Sequence, residues 1–151
     1  MMKALISSFF NKGFSLLALI IAAALFQSCG TTKISFSTSP VVPAAEGSVK
    51  VKKDKNKNYA IELNVMRLAE PQRLTPPENV YVVWMETNGK GTKNIGQIGT
   101  SASFLSSTLK SSLKTTTTFS PTGFFITAED KADRQYPGPM VVLRTNAFSI
   151  K

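Results

Sequence analysis

A chain of 151 residues has room for one domain with a sizeable core, and with 18 Lys and Arg against 9 Asp and Glu it carries a net charge of +9. It contains no His and one Cys, which removes Ser-His-Asp and Cys-His nucleophilic sets, internal disulfides and the usual zinc ligands. What is left points to a non-enzymatic protein with no cofactor and no metal.

Lys3 and Lys12 make a positive start, and Phe14 to Phe26 then runs apolar for about 13 residues, a signal-peptide length short of the roughly 20 that a spanning helix needs. The following LFQSCG, residues 25–30, resembles the lipobox of bacterial lipoproteins, with Phe26 standing where Leu is usual and Gln27 where a small residue is. In that family the Cys thiol receives diacylglycerol, the peptide is cut before the Cys, and the new amino group is acylated. The resemblance implies that 1–28 is a lipoprotein signal peptide and that Cys29 carries lipid. The chain is then exported and membrane-anchored, facing the periplasm, with inner versus outer membrane left open. The rival readings are a plain secretory signal or an uncleaved anchor. Either leaves a lone thiol in an oxidising compartment, whereas an acylated one needs no partner.

Residues 37–47, STSPVVPAAEG, are rich in Pro, Ala and Ser, so 29–47 reads as the lipidated Cys followed by a tether, and 48–151 as the domain. Val49 and Val51 alternate with Lys50 and Lys52, DKNKN at 54–58 supplies turn residues, and Tyr59, Ile61, Leu63 and Val65 alternate with polar neighbours: a β-hairpin with one buried face. EPQRLTPPEN, 70–79, is a crossing loop because its prolines remove donors and fix φ. VYVVWM, 80–85, is apolar on both alternating faces and suits a central strand covered on each side. NGKG at 88–91 closes a hairpin onto a short partner strand containing Ile95 and Ile98. From 100 to 118 the chain is Ser/Thr-rich with Leu105, Leu109 and Leu113 at i, i+4 spacing, and 104–113 reads equally as a strand or as one short helix. TTTTF, GFFITAE and MVVLRT are strands, separated by the SPTG turn and the KADRQYPGP loop. About seven short strands with frequent turns predict an all-β, antiparallel, immunoglobulin-like β-sandwich with Tyr81, Trp84, Ile126 and Leu143 in its core.

The order YVVWM, hairpin, NIGQI, FSPTGFFITAED, YPGP, MVVLRT resembles the extracytoplasmic C-terminal domain of anti-sigma-K factors over roughly residues 46–146. The sigma-binding helical segment and the transmembrane helix of that family have no counterpart here. The resemblance therefore implies a β-sandwich that binds or senses at a membrane surface, with an envelope protein as partner, and not anti-sigma activity.

Ser107–Lys110 and Ser111–Lys114 match the SxxK spacing of serine penicillin-binding enzymes without the SDN and KTG elements that complete such sites. Glu129, Asp130 and Asp133 bring three carboxylates to one loop without an EF-hand pattern and read as solvated charge. Lys50, Lys52, Lys53, Lys55 and Lys57 cluster at the first hairpin, where they serve either as an anion-binding surface for lipid or polysaccharide or as a solvated edge that resists aggregation. No aromatic set accompanies them, so nucleic acid is not expected. Tyr136, flanked by turn residues, is the better candidate for an exposed aromatic contact, although packing over the end of the sandwich is the reading preferred for it. The expected role is a lipid-anchored protein-binding or sensing module, or alternatively a binder of anionic lipid or polysaccharide through the lysine hairpin.

Overall fold

The first hairpin forms where the alternation places it. The strand Glu46–Lys53 pairs antiparallel with Tyr59–Met66, with Val49 opposite Leu63 and Val51 opposite Ile61, all four buried on one face. The computed structural model describes residues 30–99, 101–103 and 106–150, apart from the side chains of 101–109; the expected signal peptide and Cys29 lie outside the described residues.

Among the described residues there are nine strands: β1 (Thr31–Ser35), β2 (Glu46–Lys53), β3 (Tyr59–Met66), β4 (Val80–Thr87), β5 (Gly91–Ile98), β6 (Ser101–Ser103), β7 (Ser106–Thr117), β8 (Pro121–Glu129) and β9 (Val141–Arg144). They make two antiparallel sheets, β1-β2-β3-β7-β6 and β5-β4-β8-β9. Strands β2, β3, β7 and β6 stand as A, B, E and D of an immunoglobulin-type sandwich, and β9, β8, β4 and β5 as G, F, C and C′. β1 is an extra strand beside A. The inner faces share one core, in which Val49, Val51, Ile61, Leu63 and Val65 meet Tyr81, Val83, Met85, Phe124, Ile126 and Leu143.

Two expectations are corrected. Residues 29–47 do not form a free tether from Thr31 onward. β1 pairs with β2, and Phe36 bridges to Thr145. The chain then straps across to the other sheet, where Ser37 N–H donates to the Arg144 carbonyl at 2.8 Å. Ser39, Val42 and Ala45 are buried, and the Ser39 hydroxyl accepts the Val42 N–H at 2.8 Å. Composition pointed to a linker because Pro, Ala and Ser are as compatible with a packed strap as with a solvated one. The short helix at 104–113 is also absent from the described part of that stretch. Residues 106–117 are β7, paired with β3 from Lys110–Met66 to Thr117–Tyr59. A spacing of four puts side chains on one face of a helix and equally on one face of a strand, so the leucines could not discriminate, and pairing with β3 decided it.

β4 is buried on both faces. Tyr81, Val83 and Met85 enter the inter-sheet core, while Val82 and Trp84 point to the opposite side and form a second cluster with Phe125. Trp84 is fully buried, but not between the sheets. Tyr81 ties the crossing loop down: its hydroxyl donates to the Ala69 carbonyl at 2.9 Å.

Burial pushes the Tyr81 hydroxyl up from 10.0 to about 12. The folded state therefore holds this proton more tightly than the unfolded chain, so the stabilisation is complete below pH 10 and is lost as pH rises towards 12. Urea unfolding across that interval is expected to show stability falling with pH, and Tyr81→Phe is expected to flatten the slope. An unchanged slope in the variant would assign the alkaline loss to other groups.

Candidate functional site

The outer face of β5-β4-β8-β9 is closed by the protein itself. Glu129, at the end of β8, is 3% exposed, and its carboxylate accepts hydrogen bonds from the Thr127 hydroxyl and from the Gly138 N–H at 2.7 Å. Thr127 in turn accepts the Trp84 indole N–H at 2.7 Å. Arg134 lies with Nε 3.4 Å from Glu129, and Asn94 on β5 donates to the Ala132 and Arg134 carbonyls. A loop that leaves β8 and reaches β5 must cross β4, so residues 131–138 pass over Trp84. A Cβ at Gly138 would stand 2.7 Å from the Glu129 carboxylate, so a side chain there would have to displace it from this position. Phe125 stacks on Trp84 with ring centroids 6.2 Å apart, and Arg144 covers Phe125 while pairing with Glu86 at 2.6 Å. Trp84, Thr127, Glu129 and Gly138 thus act together as a clamp. At its apex Tyr136 is left 78% exposed.

The outer face of the other sheet is open. The register puts Lys33 directly opposite Lys50, Lys50 opposite Glu62, and Glu62 opposite Lys114, a single row across four strands. Lys114 pairs with Glu62 at 3.6 Å, which leaves the adjacent Lys33 and Lys50 as a like-charged cross-strand pair, an arrangement that costs stability in isolation. Lys52 extends the same face one step towards the hairpin tip. Two shallow grooves of about 610 and 400 Å³ meet at Asn64 and Met66 on this face, with Lys110 lining one and Lys33 the other. Lys33 was hidden from sequence reading because β1 was taken for tether, and Lys114 because its strand was undecided.

Lys53, Lys55 and Lys57 surround the turn between β2 and β3. Asp54 organises it, its carboxylate accepting the backbone N–H groups of Asn58 and Asn56, each at 2.8 Å, and the Asn58 side chain at 3.0 Å. The Asn58 N–H is the main cause holding the Asp54 carboxyl below its ordinary value. Lys57 adopts φ 66, a left-handed conformation that glycine takes without cost. Lys53 stands over the Tyr59 ring at 5.6 Å.

The other motifs do not assemble. On β7 Ser111 is buried and donates to the Gly99 carbonyl at 2.6 Å, while Lys114 is on the outer face, so that SxxK pair brings no amine to the hydroxyl; the side chain of Ser107, in the other pair, lies outside the described residues. Of the three loop carboxylates, Glu129 is turned inward into the clamp and Asp130 faces Arg134 at 3.5 Å. Among the described residues no group of His, Cys, Asp or Glu is placed to hold a metal ion, and no helix is long and apolar enough to cross a membrane. No family model, curated protein or solved structure matches this chain.

Trp84→Ala is expected to cost roughly 3 to 5 kcal/mol in urea unfolding, and Thr127→Val about 1 to 3 kcal/mol by leaving the indole N–H and the Glu129 carboxylate each one partner short. Both variants should raise hydrogen exchange in 131–138, which a purely local packing loss would leave unchanged. Lys57→Gly is expected to stabilise by about 0.5 to 1 kcal/mol by relieving the left-handed backbone; a destabilised variant would show that the lysine side chain itself holds the turn.

Proposed function

We propose that this protein is a lipid-anchored, non-enzymatic binding module of the cell envelope, held on the periplasmic side by lipid on Cys29, which engages an anionic component through the lysine face of its five-stranded sheet. The observation that carries the reading is the Lys33–Lys50 pair, two like charges directly opposed on neighbouring strands, with Lys52 beside them. An anionic ligand would turn a local electrostatic cost into a gain. Grooves reaching from Lys33 past Asn64 to Lys110 give such a ligand a path along the sheet.

A second reading, a protein-binding or sensing module like the domain it resembles, is favoured by the opposite end. There Tyr136 projects from a loop that is otherwise pinned, and a mainly apolar cleft of about 510 Å³ opens between Pro40, Val41, Pro76, Pro139 and Met140, with Thr75 and Glu78 also lining it.

Two measurements test these readings. Metabolic labelling with a radioactive fatty acid should mark the wild-type chain and not Cys29→Ser; equal labelling of both removes the anchor. Binding to dextran sulfate should weaken with salt, since the screening length falls from about 10 Å at 0.1 M to about 3 Å at 1 M, and Lys33→Gln/Lys50→Gln/Lys52→Gln should abolish it. If that triple variant binds as wild type does while Tyr136→Ala loses an envelope protein in a cross-linking pull-down, the second reading replaces the first.

A further inference from the structure

The topology brings the two N-terminal features, the acylation signal and the lysine hairpin, to one end of the molecule. β1 begins at Thr31, whose partner on β2 is Lys52, at the end where β2 enters its turn. Cys29 precedes Thr31 by two residues, a span of at most about 7 Å of extended chain. No tether intervenes, because residues 31–35 are already strand. Lipid on Cys29 would therefore hold this end of the sandwich against the bilayer.

That same end collects three turns. β7 finishes at Thr117, opposite Tyr59 where β3 starts, and β8 begins at Pro121, opposite Thr87 where β4 finishes. The turns 54–58, 88–90 and 118–120 are thus neighbours, and the Asn88 N–H donates to the Ser120 carbonyl at 3.4 Å. Together they present Lys52, Lys55, Lys57 and Lys90 to solvent, with Lys93 beside them. The acid within these turns, Asp54, spends its carboxylate on Asn56 and Asn58. Phe119 projects among them, 37% exposed, with the Lys93 ammonium 4.4 Å from its ring centroid.

We propose that this turn end is a membrane-docking surface: its lysines sit on the phosphates of anionic phospholipids in the bilayer that holds the chain, and Phe119 enters the headgroup boundary. The proposal rests on the lipid-anchor reading for its orientation and names lipid as the occupant of the lysine tip. Its chemistry is that of a basic cluster with an apolar side chain beside one acylation site, the two-signal arrangement that makes membrane attachment stable. The loops 67–79 and 130–140, with Tyr136 and the proline-lined cleft, would then face away from the membrane, open to a partner.

Residues 30–151 contain every described strand and both apolar clusters, so this segment serves for a test that is independent of acylation. It is expected to sediment with phosphatidylglycerol vesicles and not with phosphatidylcholine vesicles. Each basic residue near an anionic surface contributes about fivefold in affinity, so Lys55→Gln/Lys57→Gln/Lys90→Gln/Lys93→Gln should weaken binding on the order of a hundredfold or more. Phe119→Ser should weaken it with the charge unchanged. Lys57→Gly guards against misfolding as the explanation, since it should bind vesicles less well while unfolding no earlier than wild type. In the acylated full chain reconstituted in phosphatidylglycerol vesicles, Lys55, Lys57 and Lys90 should be protected from amine acetylation while Lys131 stays reactive. Equal binding to both vesicle types, or a quadruple variant that binds as wild type does, overturns the proposal. So does protection of Lys131 in place of the turn lysines. Loss of fatty-acid labelling without loss of vesicle binding would sink the anchor and leave the docking surface standing.

Discussion

β4 is buried on both of its faces, and much of the rest of the architecture answers the demands this creates. One face is satisfied by the second sheet, as in any sandwich. The other carries Val82 and Trp84, and burying an indole means that its N–H needs a partner away from water. The partner is Thr127, which passes the demand to Glu129, and a carboxylate buried at 3% exposure needs donors of its own. Gly138 and Arg134 supply them, and this draws the 131–138 segment across the sheet to cover the tryptophan that began the chain of requirements. Each group is satisfied only if the others are in place, so the clamp should form or fail as a unit.

This closure has a functional consequence. With the outer face of the four-stranded sheet occupied by the chain itself, the surfaces free to meet anything else are the open face of the five-stranded sheet and the two ends. The open face is basic and polar, the turn end is basic with one exposed Phe, and the loop end mixes exposed polar residues with a proline-lined cleft and one exposed Tyr. The molecule thus offers chemically different surfaces at its two ends. The anionic-ligand and protein-partner readings then describe different parts of one surface.

Much of the fold was legible in the residues, because period-two alternation and turn chemistry are local. Val49 to Val65 wrote the first hairpin, VYVVWM announced a strand covered on both sides, and NGKG marked its turn. The exclusion of His-dependent and disulfide chemistry followed from composition alone.

Tertiary structure decided what depends on which segments become neighbours. Whether 106–117 is strand or helix turned on pairing with β3, since a four-residue leucine spacing fits both geometries. The Pro-, Ala- and Ser-rich 37–45 became a strap because Phe36 found Thr145 and Ser39 found a buried site, contacts more than a hundred residues apart in the first case and invisible to composition in the second. Alternation put Trp84 on the face opposite Tyr81, Val83 and Met85, but that this outer face would be covered depended on the loop held by the Glu129 carboxylate. The lysine surface shows the division best. Its tip was readable from residues 50–57, whereas its extension through Lys33 and Lys114, and its place at the end where Thr31 begins β1, exist only because strands distant in sequence pair in one register.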